Sequence, residues 1–109
     1  MWVATTQGFY RVVQHRRDRS KLLVRARTRE DIEALRDQIP DIRTFSDSRA
    51  DYRWRAVVTR AEWIAALAQL VSELDYPNFK SAVASRQGSE RAHYYGEVWS
   101  VLAGLQQEE

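Results

Sequence analysis

Alternating apolar and polar positions predict β-strands at four places along the chain. The first is an extended segment rich in β-branched and aromatic residues, in which Gly8 marks a bulge or bend. The polar run of residues 15–21 separates it from a second alternating segment, which predicts a hairpin with a long basic loop. The predicted strands cover residues 2–14, 22–27, 42–45 and 52–59.

Helical periodicity and capping residues predict four helices. Thr28 with Asp31 suits the start of the first helix, and Thr59 with Glu62 forms a capping box for the second. A short third helix and a longer last one follow Pro77. The predicted apolar stripes are Ile32, Leu35 and Ile39; then Ile64, Leu67, Leu70, Val71 and Leu74; then Phe79 and Val83; and finally Tyr95, Val98, Trp99, Leu102 and Leu105.

The order of these elements is ββαββα with two further helices at the C-terminal end. Hairpin-connected strands favour an antiparallel sheet, and apolar stripes favour helices that cover one face of it. We therefore expect an α+β fold, a two-layer sandwich with an antiparallel sheet of about four strands and helices on one face. A length of 109 residues is typical of one domain, so we expect a single domain over residues 1–109.

The composition excludes several kinds of chemistry. The chain has no cysteine, so it has no disulfide, no thiolate nucleophile and no cysteine-based metal site. The start of the chain lacks the basic stretch and long apolar run of a signal peptide, and no segment approaches the roughly 18 apolar residues of a membrane span. We therefore expect a cytoplasmic protein.

Charge is distributed unevenly along the chain. Residues 1–60 hold 14 basic and 8 acidic residues, a net +6, whereas residues 61–109 hold 3 and 7, a net −4. Of the 17 basic residues, 15 are arginine, whose planar guanidinium suits bidentate contacts with phosphate and stacking on flat rings. A GC-rich genome, which favours arginine codons, explains this excess equally well.

Candidate catalytic residues are few. The two histidines, His15 and His93, are far apart and have no metal-ligand spacing around them. The sequence has no glycine-rich phosphate loop and no nucleophile elbow. Asp75 and Glu73 are typical surface carboxylates. We therefore expect a non-enzymatic protein without metal or cofactor; a small hydrolase or transferase built around Asp75 and Arg53 is a distant third alternative.

The arginines of the strands carry the strongest functional signal. If Tyr52, Trp54, Ala56 and Val58 face the helices, Arg53 and Arg55 point the other way, because side chains alternate along a strand. None of the four predicted strands contains Asp or Glu. The same phase places on that outward face Phe9, Arg11, Arg25 and Arg27, with Arg43 and Phe45 beside them, and Arg16 and Arg17 of the basic loop extend it.

An open sheet face with arginines for phosphates and aromatic rings for bases is typical of small domains that bind RNA or single-stranded DNA. This is our leading hypothesis. Binding would depend mainly on the phosphate backbone of the nucleic acid and would be weakly selective for its sequence. The alternatives are a solvated face and a protein-interaction module, in which the face or the Trp2 edge binds an acidic partner or a second copy in a homodimer. We place Trp54, Trp63 and Trp99 in the core.

Three segments resemble a family of small bacterial proteins of about this length. They are Thr6-Gln7-Gly8-Phe9-Tyr10, Leu74-Asp75-Tyr76-Pro77-Asn78-Phe79-Lys80 and His93-Tyr94-Tyr95-Gly96-Glu97-Val98-Trp99. The resemblance covers nearly the whole chain and implies a free-standing bacterial domain. Because the family has no assigned activity, it implies no catalytic or binding residue. The block of residues 75–80 is its most distinctive part, and the economical interpretation of Asp75 and Asn78 is that they hold a turn between helices.

Overall fold

The structure, a computed structural model, describes residues 1–107. Its strands are β1 (Trp2–Ala4), β2 (Phe9–Gln14), β3 (Lys21–Ala26), β4 (Thr44–Ser46) and β5 (Trp54–Thr59), and its helices are α1 (Arg29–Ala34), α2 (Arg60–Ser72), α3 (Phe79–Gln87), α4 (Ser89–Leu102) and α5 (Gly104–Gln107). Within the described residues the strands form one open sheet in the order β1-β2-β3-β5-β4, and every neighbouring pair is antiparallel. The predicted α+β class and the antiparallel sheet are confirmed.

The sheet of the described chain has five strands rather than four, because residues 2–14 fold into two. A tight turn joins β1 to β2, and in it the Thr5 N–H donates to the Gly8 carbonyl at 2.9 Å. The Thr5 hydroxyl donates to the same carbonyl and accepts from the N–H groups of Gln7 and Gly8. One threonine side chain thus pairs with three backbone groups of the turn at which the first strand ends.

A single apolar cluster joins the strands to α1 and α2. From the strands it takes Tyr10, Val12, Leu22, Val24, Ala26, Ala56 and Val58, and from the rest of this region Ile32, Leu35, Ile39, Ile42, Trp63 and Ala66. Trp54 and Leu67 pack against the cluster and are partly buried. The strand residues that alternation assigned to the helix side are therefore found there, with the exception of Tyr52. The opposite side of the sheet is called the outer face below.

Both predicted helix starts are confirmed. The Thr28 hydroxyl accepts the Asp31 N–H at 3.2 Å, and α1 is followed at once by a short 3₁₀ turn, Leu35–Asp37. At α2 the Thr59 hydroxyl accepts the Glu62 N–H at 3.0 Å, while the Glu62 carboxylate accepts the Thr59 N–H at 2.7 Å. This reciprocal pair satisfies two backbone donors that the first turn of a helix leaves without partners.

The predicted buried stripe of α2 is partly wrong. Trp63 and Ala66 are the buried residues of this helix, and the Trp63 ring meets the Tyr10 ring edge-on at 6.1 Å between centroids. Ala66 is small, so the helix backbone comes close to the sheet there. The stripe is therefore rotated by about one residue. Three residues of the predicted stripe are exposed instead: Ile64 at 68%, Val71 at 68% and Leu74 at 55%.

The chain divides into two compact units, Met1–Leu74 and a second that begins at Asp75. Within the second unit α3 packs on α4, and Phe79 stacks on Tyr95 at 5.5 Å between ring centroids. The Asn78 side chain accepts a backbone N–H at 2.9 Å and caps α3. Asn78 therefore has the structural role that the sequence indicated, whereas the organisation as one domain stays a prediction.

The last helices expose much of their apolar surface. Trp99, which we expected in the core, is 69% exposed, and Val98, Leu102 and Leu105 of the same predicted stripe are exposed as well. The part of α4 that is buried contains Ala92 instead. Among residues 1–107, no helix combines the length and the apolar character needed to cross a membrane.

Candidate functional site

Five residues line up across the outer face, one on each strand of the described sheet. Strand pairing places Trp2 opposite Arg11, Arg11 opposite Arg25, Arg25 opposite Arg55, and Arg55 opposite Phe45. Directly paired residues of antiparallel strands share one face of a sheet. Three arginines on the central strands are thus flanked by an aromatic residue at each edge. We call Arg11, Arg25 and Arg55 the arginine row.

The surroundings of the arginine row are apolar. The next row on the same face is Val13 opposite Leu23 and Leu23 opposite Val57, and both valines are exposed. At the β1 edge, Trp2 and Phe9 meet edge-on with ring centroids 5.6 Å apart. The two edge rings of the row remain accessible, since Trp2 is 63% and Phe45 is 46% exposed.

Tyr52 lies on the outer face, which corrects its predicted place among the helix-facing residues. It is only 3% exposed. Around its ring are the guanidinium carbons of Arg11 at 5.6 Å, Arg25 at 5.7 Å and Arg27 at 4.1 Å from the centroid. Cations at this distance from an aromatic ring are attracted by its quadrupole.

The physical reason for this placement is the loop of residues 47–53, which we call the Tyr52 loop. β5 begins only at Trp54, so the alternation of that strand does not reach back to Tyr52. The Asp47 N–H donates to the Arg53 carbonyl at 2.9 Å and closes the loop. The side chains of residues inside a closed loop do not continue the alternation between faces of the strand that follows the loop.

Two arginines hold the backbone of the Tyr52 loop. Arg55 Nε donates to the Tyr52 carbonyl at 3.1 Å, and a terminal nitrogen of Arg27 donates to the Asp51 carbonyl at 3.0 Å. The Asp51 carboxylate lies 3.8 Å from a terminal nitrogen of Arg11, at the long end for an ion pair, and its side chain is 61% exposed. Asp51 is the carboxylate that the described contacts bring to this cluster.

Arg25 is the least compensated member of the arginine row. Its Nε is buried and has no hydrogen-bond partner among the described residues. Burial lowers the pKa of the Arg25 guanidinium below its ordinary value, and the positive charges of Arg11 and Arg55 lower it further. Like charges directly opposite one another destabilise a sheet. The site therefore carries more positive charge than the protein itself neutralises.

The Asp51 carboxylate responds to the same field. Its pKa lies below the ordinary aspartate value chiefly because it accepts the Tyr52 N–H at 2.8 Å, and the positive charges of Arg11, Arg25 and Arg27 lower it as well. The carboxylate is therefore ionised at neutral pH and contributes one negative charge against four guanidinium groups.

The guanidinium groups of the other predicted arginines are not among those described around the Tyr52 ring. The Arg53 guanidinium lies over the Trp54 ring, 5.5 Å from its centroid. Arg16 and Arg17 are exposed in the turn between β2 and β3, and Arg43 is exposed just before β4. The structure thus brings Arg11, Arg25, Arg27 and Arg55 together and leaves these four apart from them.

Neither histidine lies in a metal site. His15 Nδ1 accepts the N–H groups of Arg17 and Asp18, both at 3.2 Å, so this residue caps the turn after β2. His93 pairs with Glu97 at 2.8 Å on an exposed helix surface. Within residues 1–107, no group of three or more histidine, aspartate or glutamate side chains is arranged to hold a metal ion.

The second unit has an open groove of about 300 Å³. It is lined by Lys80, His93, Gly96, Glu97, Trp99 and Ser100. Asp75, the carboxylate of the enzyme alternative, does not line this groove and is exposed before α3. Two of the titratable groups that line the groove, His93 and Glu97, pair with each other at 2.8 Å on an exposed helix surface.

Three residues of the site were not among the sequence candidates for it. Asp51 and Tyr52 belong to a loop, where alternation has no predictive value, and Trp2 was treated as a separate edge. One signal pointed to Trp2: it lies seven residues before Phe9 in the same extended segment, and Gly8 marks a bend between them. Once the hairpin is recognised, Trp2 and Arg11 become neighbours.

The arrangement is suited to holding an anion beside flat apolar groups. Guanidinium groups donate paired hydrogen bonds to phosphate or carboxylate oxygens, and exposed aromatic rings at both edges offer stacking surfaces. Comparison with known proteins adds no further candidate, because no protein family, no curated protein and no solved structure matches the chain.

Proposed function

We propose that this protein is a non-enzymatic binding module of the cytoplasm that holds RNA or single-stranded DNA on its outer face. The observation that carries the proposal is the line of Trp2, the arginine row and Phe45 across all five described strands. Phosphates would contact the guanidinium groups, and bases would stack on the edge rings.

The dimensions of the face support this proposal. Strands lie about 4.8 Å apart, so the five strands place the two edge residues about 19 Å from each other. About five or six stacked nucleotides, at roughly 3.4 Å each, cover that length. Trp2 and Phe45 are both exposed, so the ends of such a strand reach accessible rings.

The finer architecture belongs to the same proposal. We place α1 and α2 on the core side only, as in a two-layer sandwich, so that neither of these helices covers the outer face. The contacts of α1 and α2 with β3 and β5, together with the shared apolar cluster, support this arrangement. The strands contribute no carboxylate that would repel a phosphate backbone.

Binding of this kind is led by charge. Guanidinium contacts with phosphates release counterions, so affinity falls as salt rises, with a slope of about −0.7 for each phosphate bound to a single strand. For the three members of the arginine row we expect a slope near −2 in a plot of the logarithm of affinity against the logarithm of salt concentration. Selectivity among bases is weak, because stacking is tolerant of sequence.

The test is a fluorescence-anisotropy titration of a labelled single-stranded oligonucleotide at several salt concentrations. Arg11→Gln and Trp2→Ala should each weaken binding, because one removes a phosphate contact and the other a stacking surface. Arg86→Ala, which removes the same charge from α3, is the matched control and should bind like the wild type. Circular dichroism shows whether each variant is folded. Absent or salt-independent binding would overturn the proposal.

A second candidate function is self-association through β1. This strand forms one edge of the described sheet and presents Trp2 at 63% exposure. Edge strands with exposed apolar side chains pair readily with another chain. Sedimentation equilibrium would show a dimer that Trp2→Lys disrupts; a monomer at high concentration removes this candidate.

A further inference from the structure

We infer that the space around Arg11 and Arg25 binds a terminal phosphate, the monoester at the end of a nucleic-acid strand, in preference to internal phosphodiesters. This inference rests on the proposed function and names the part of the ligand that the most positive point of the outer face recognises.

The first step is the convergence of charge. The guanidinium groups of Arg11, Arg25 and Arg27 all lie within 5.7 Å of the Tyr52 ring centroid. Arg55 Nε donates a hydrogen bond to the Tyr52 carbonyl. Beside Tyr52 the charge of Arg27 adds to that of the arginine row, and a compact, highly charged group is the best complement to such a concentration of charge.

The second step is to ask which of these arginines remain available. Arg27 and Arg55 each donate to a carbonyl of the Tyr52 loop, so they fix the loop. Among the described residues, Arg11 has the long ionic contact with Asp51 and the contact with the Tyr52 ring, and its side chain is 39% exposed. Arg25 is opposite Arg11 on the neighbouring strand, and its buried Nε has no hydrogen-bond partner among the described residues. Arg11 and Arg25 therefore form the part of the cluster that a ligand completes.

The third step is the chemistry of the ligand. A phosphate monoester carries about −1.5 to −2 charges at pH 7 and three acceptor oxygens, whereas a phosphodiester carries one charge. Two neighbouring guanidinium groups can each donate a pair of hydrogen bonds to such a group. The depressed pKa of Arg25 fits this assignment, because a dianion nearby would stabilise its charged form.

The Asp51 carboxylate and a bound phosphate would compete for the guanidinium group of Arg11. The carboxylate approaches Arg11 without close contact, at 3.8 Å, and the Asp51 side chain is 61% exposed. A bound phosphate would replace this contact with two or more shorter ones. Removing the negative charge of Asp51 should therefore strengthen phosphate binding at Arg11.

The experiment compares three internally labelled 15-nucleotide strands of the same sequence. They carry a 5′-phosphate, a 3′-phosphate or hydroxyl groups at both ends, and binding to the full chain is followed by anisotropy at pH 7.5. We expect one of the phosphorylated strands to bind about tenfold more tightly than the hydroxyl strand, the effect of one charge-assisted contact. The advantage should shrink at pH 5.5, because the second pKa of a phosphate monoester is about 6.

Variants locate the effect. Arg11→Gln should remove the preference for the phosphorylated end, Asp51→Asn should increase it, and Arg86→Ala should leave it unchanged. Inorganic phosphate at millimolar concentration should compete with the phosphorylated strand more than with the hydroxyl strand. Circular dichroism of each variant separates loss of binding from loss of the fold.

The outcomes distinguish this inference from the proposed function. Equal binding of all three strands overturns the terminal-phosphate site and leaves binding of single strands in place. No binding of any strand overturns both. A preference that survives in folded Arg11→Gln and is unchanged in Asp51→Asn places the end-binding site elsewhere and also contradicts the inference.

Discussion

The Arg27 guanidinium carbon lies 4.1 Å from the centroid of the Tyr52 ring, closer than the guanidinium carbon of Arg11 or Arg25. A ring shared by several cations offsets part of their mutual repulsion, because each is attracted to its negative face. Tyr52 is therefore the residue that makes the crowded arrangement of arginines on the outer face compatible with a folded sheet.

The first prediction concerns the ring of Tyr52. Because the residue is 3% exposed, Tyr52→Ala should lower the free energy of unfolding by about 3 kcal/mol. Tyr52→Phe keeps the ring and should change it by less than about 0.5 kcal/mol, since the described contacts of Tyr52 use its ring and its backbone. Urea denaturation checks both variants. Equal losses would show that the hydroxyl, rather than the ring, holds this site.

The second prediction concerns the turn between β1 and β2. A Cβ atom at Gly8 would lie 2.6 Å from the Tyr10 hydroxyl oxygen and 2.9 Å from Asp31 Cβ. Both neighbours are buried. Gly8→Ala should therefore destabilise the protein by about 1–3 kcal/mol, the usual cost of overpacking.

Gly104 provides the matched control for this substitution. Apart from its chain neighbours and its own helix backbone, no atom of residues 1–107 lies within 4 Å of the position that its Cβ would take, and it has no positive φ. Gly104→Ala should leave stability unchanged or raise it slightly, by less than about 1 kcal/mol. Thermal melts of the two variants decide the matter, and a Gly8→Ala protein as stable as the wild type would contradict the packing around Tyr10.

The third prediction concerns the start of α2. Thr59→Ala removes the side chain that accepts the Glu62 N–H, so the free energy of unfolding should fall by about 1 kcal/mol. Thr59→Ser retains an acceptor oxygen and should cost clearly less. If the alanine and serine variants have the same urea midpoint, the capping box does not stabilise this helix.

The fourth prediction concerns pH. The pKa of Glu33 lies below its ordinary value, first because the carboxylate accepts a hydrogen bond from Arg36 and then because it accepts one from the Thr44 hydroxyl. A lowered folded-state pKa contributes stability above the unfolded value, about 4.3, and this contribution is lost as pH falls through the folded value. It is therefore complete at pH 7.

Glu33→Gln isolates this effect from that of other carboxylates. The wild type should be more stable than the variant at pH 7, and the two stability curves should converge as pH falls from the unfolded value of about 4.3 through the lower folded value, where Glu33 takes up a proton. Urea midpoints measured between pH 7 and pH 3 test this expectation. A constant difference across that range would mean that ionisation of Glu33 is not linked to folding.

Much of the sheet could be predicted from sequence, because β2, β3 and β5 alternate regularly. Alternation placed Arg11, Arg25 and Arg55 on one face, and the strand pairing brings them opposite one another. Alternation does not predict the register in which strands pair. The alignment of Trp2 and Phe45 with the arginine row is therefore visible only in the structure.

The errors have physical causes as well. Tyr52 was predicted on the wrong face because the loop before β5 interrupts the alternation of side chains between the two faces of the sheet. The buried face of α2 was misplaced because two apolar stripes compete on this helix. The stripe with Ile64 has more large aliphatic residues, but the stripe with Trp63 and Ala66 is the buried one, and Trp63 contributes the largest ring on this helix.

The arginine row also has a consequence for the order in which the molecule assembles. β2 and β3 leave the ribosome long before Tyr52, and their pairing sets Arg11 against Arg25 with no ring between them. Like charges in direct opposition weaken a hairpin, so we expect this one to stay loosely formed until the later strand arrives. A peptide of residues 1–27 should therefore show little hairpin by NMR, and a well-formed hairpin there would contradict this view. The nascent chain would then complete its sheet in one late, cooperative step.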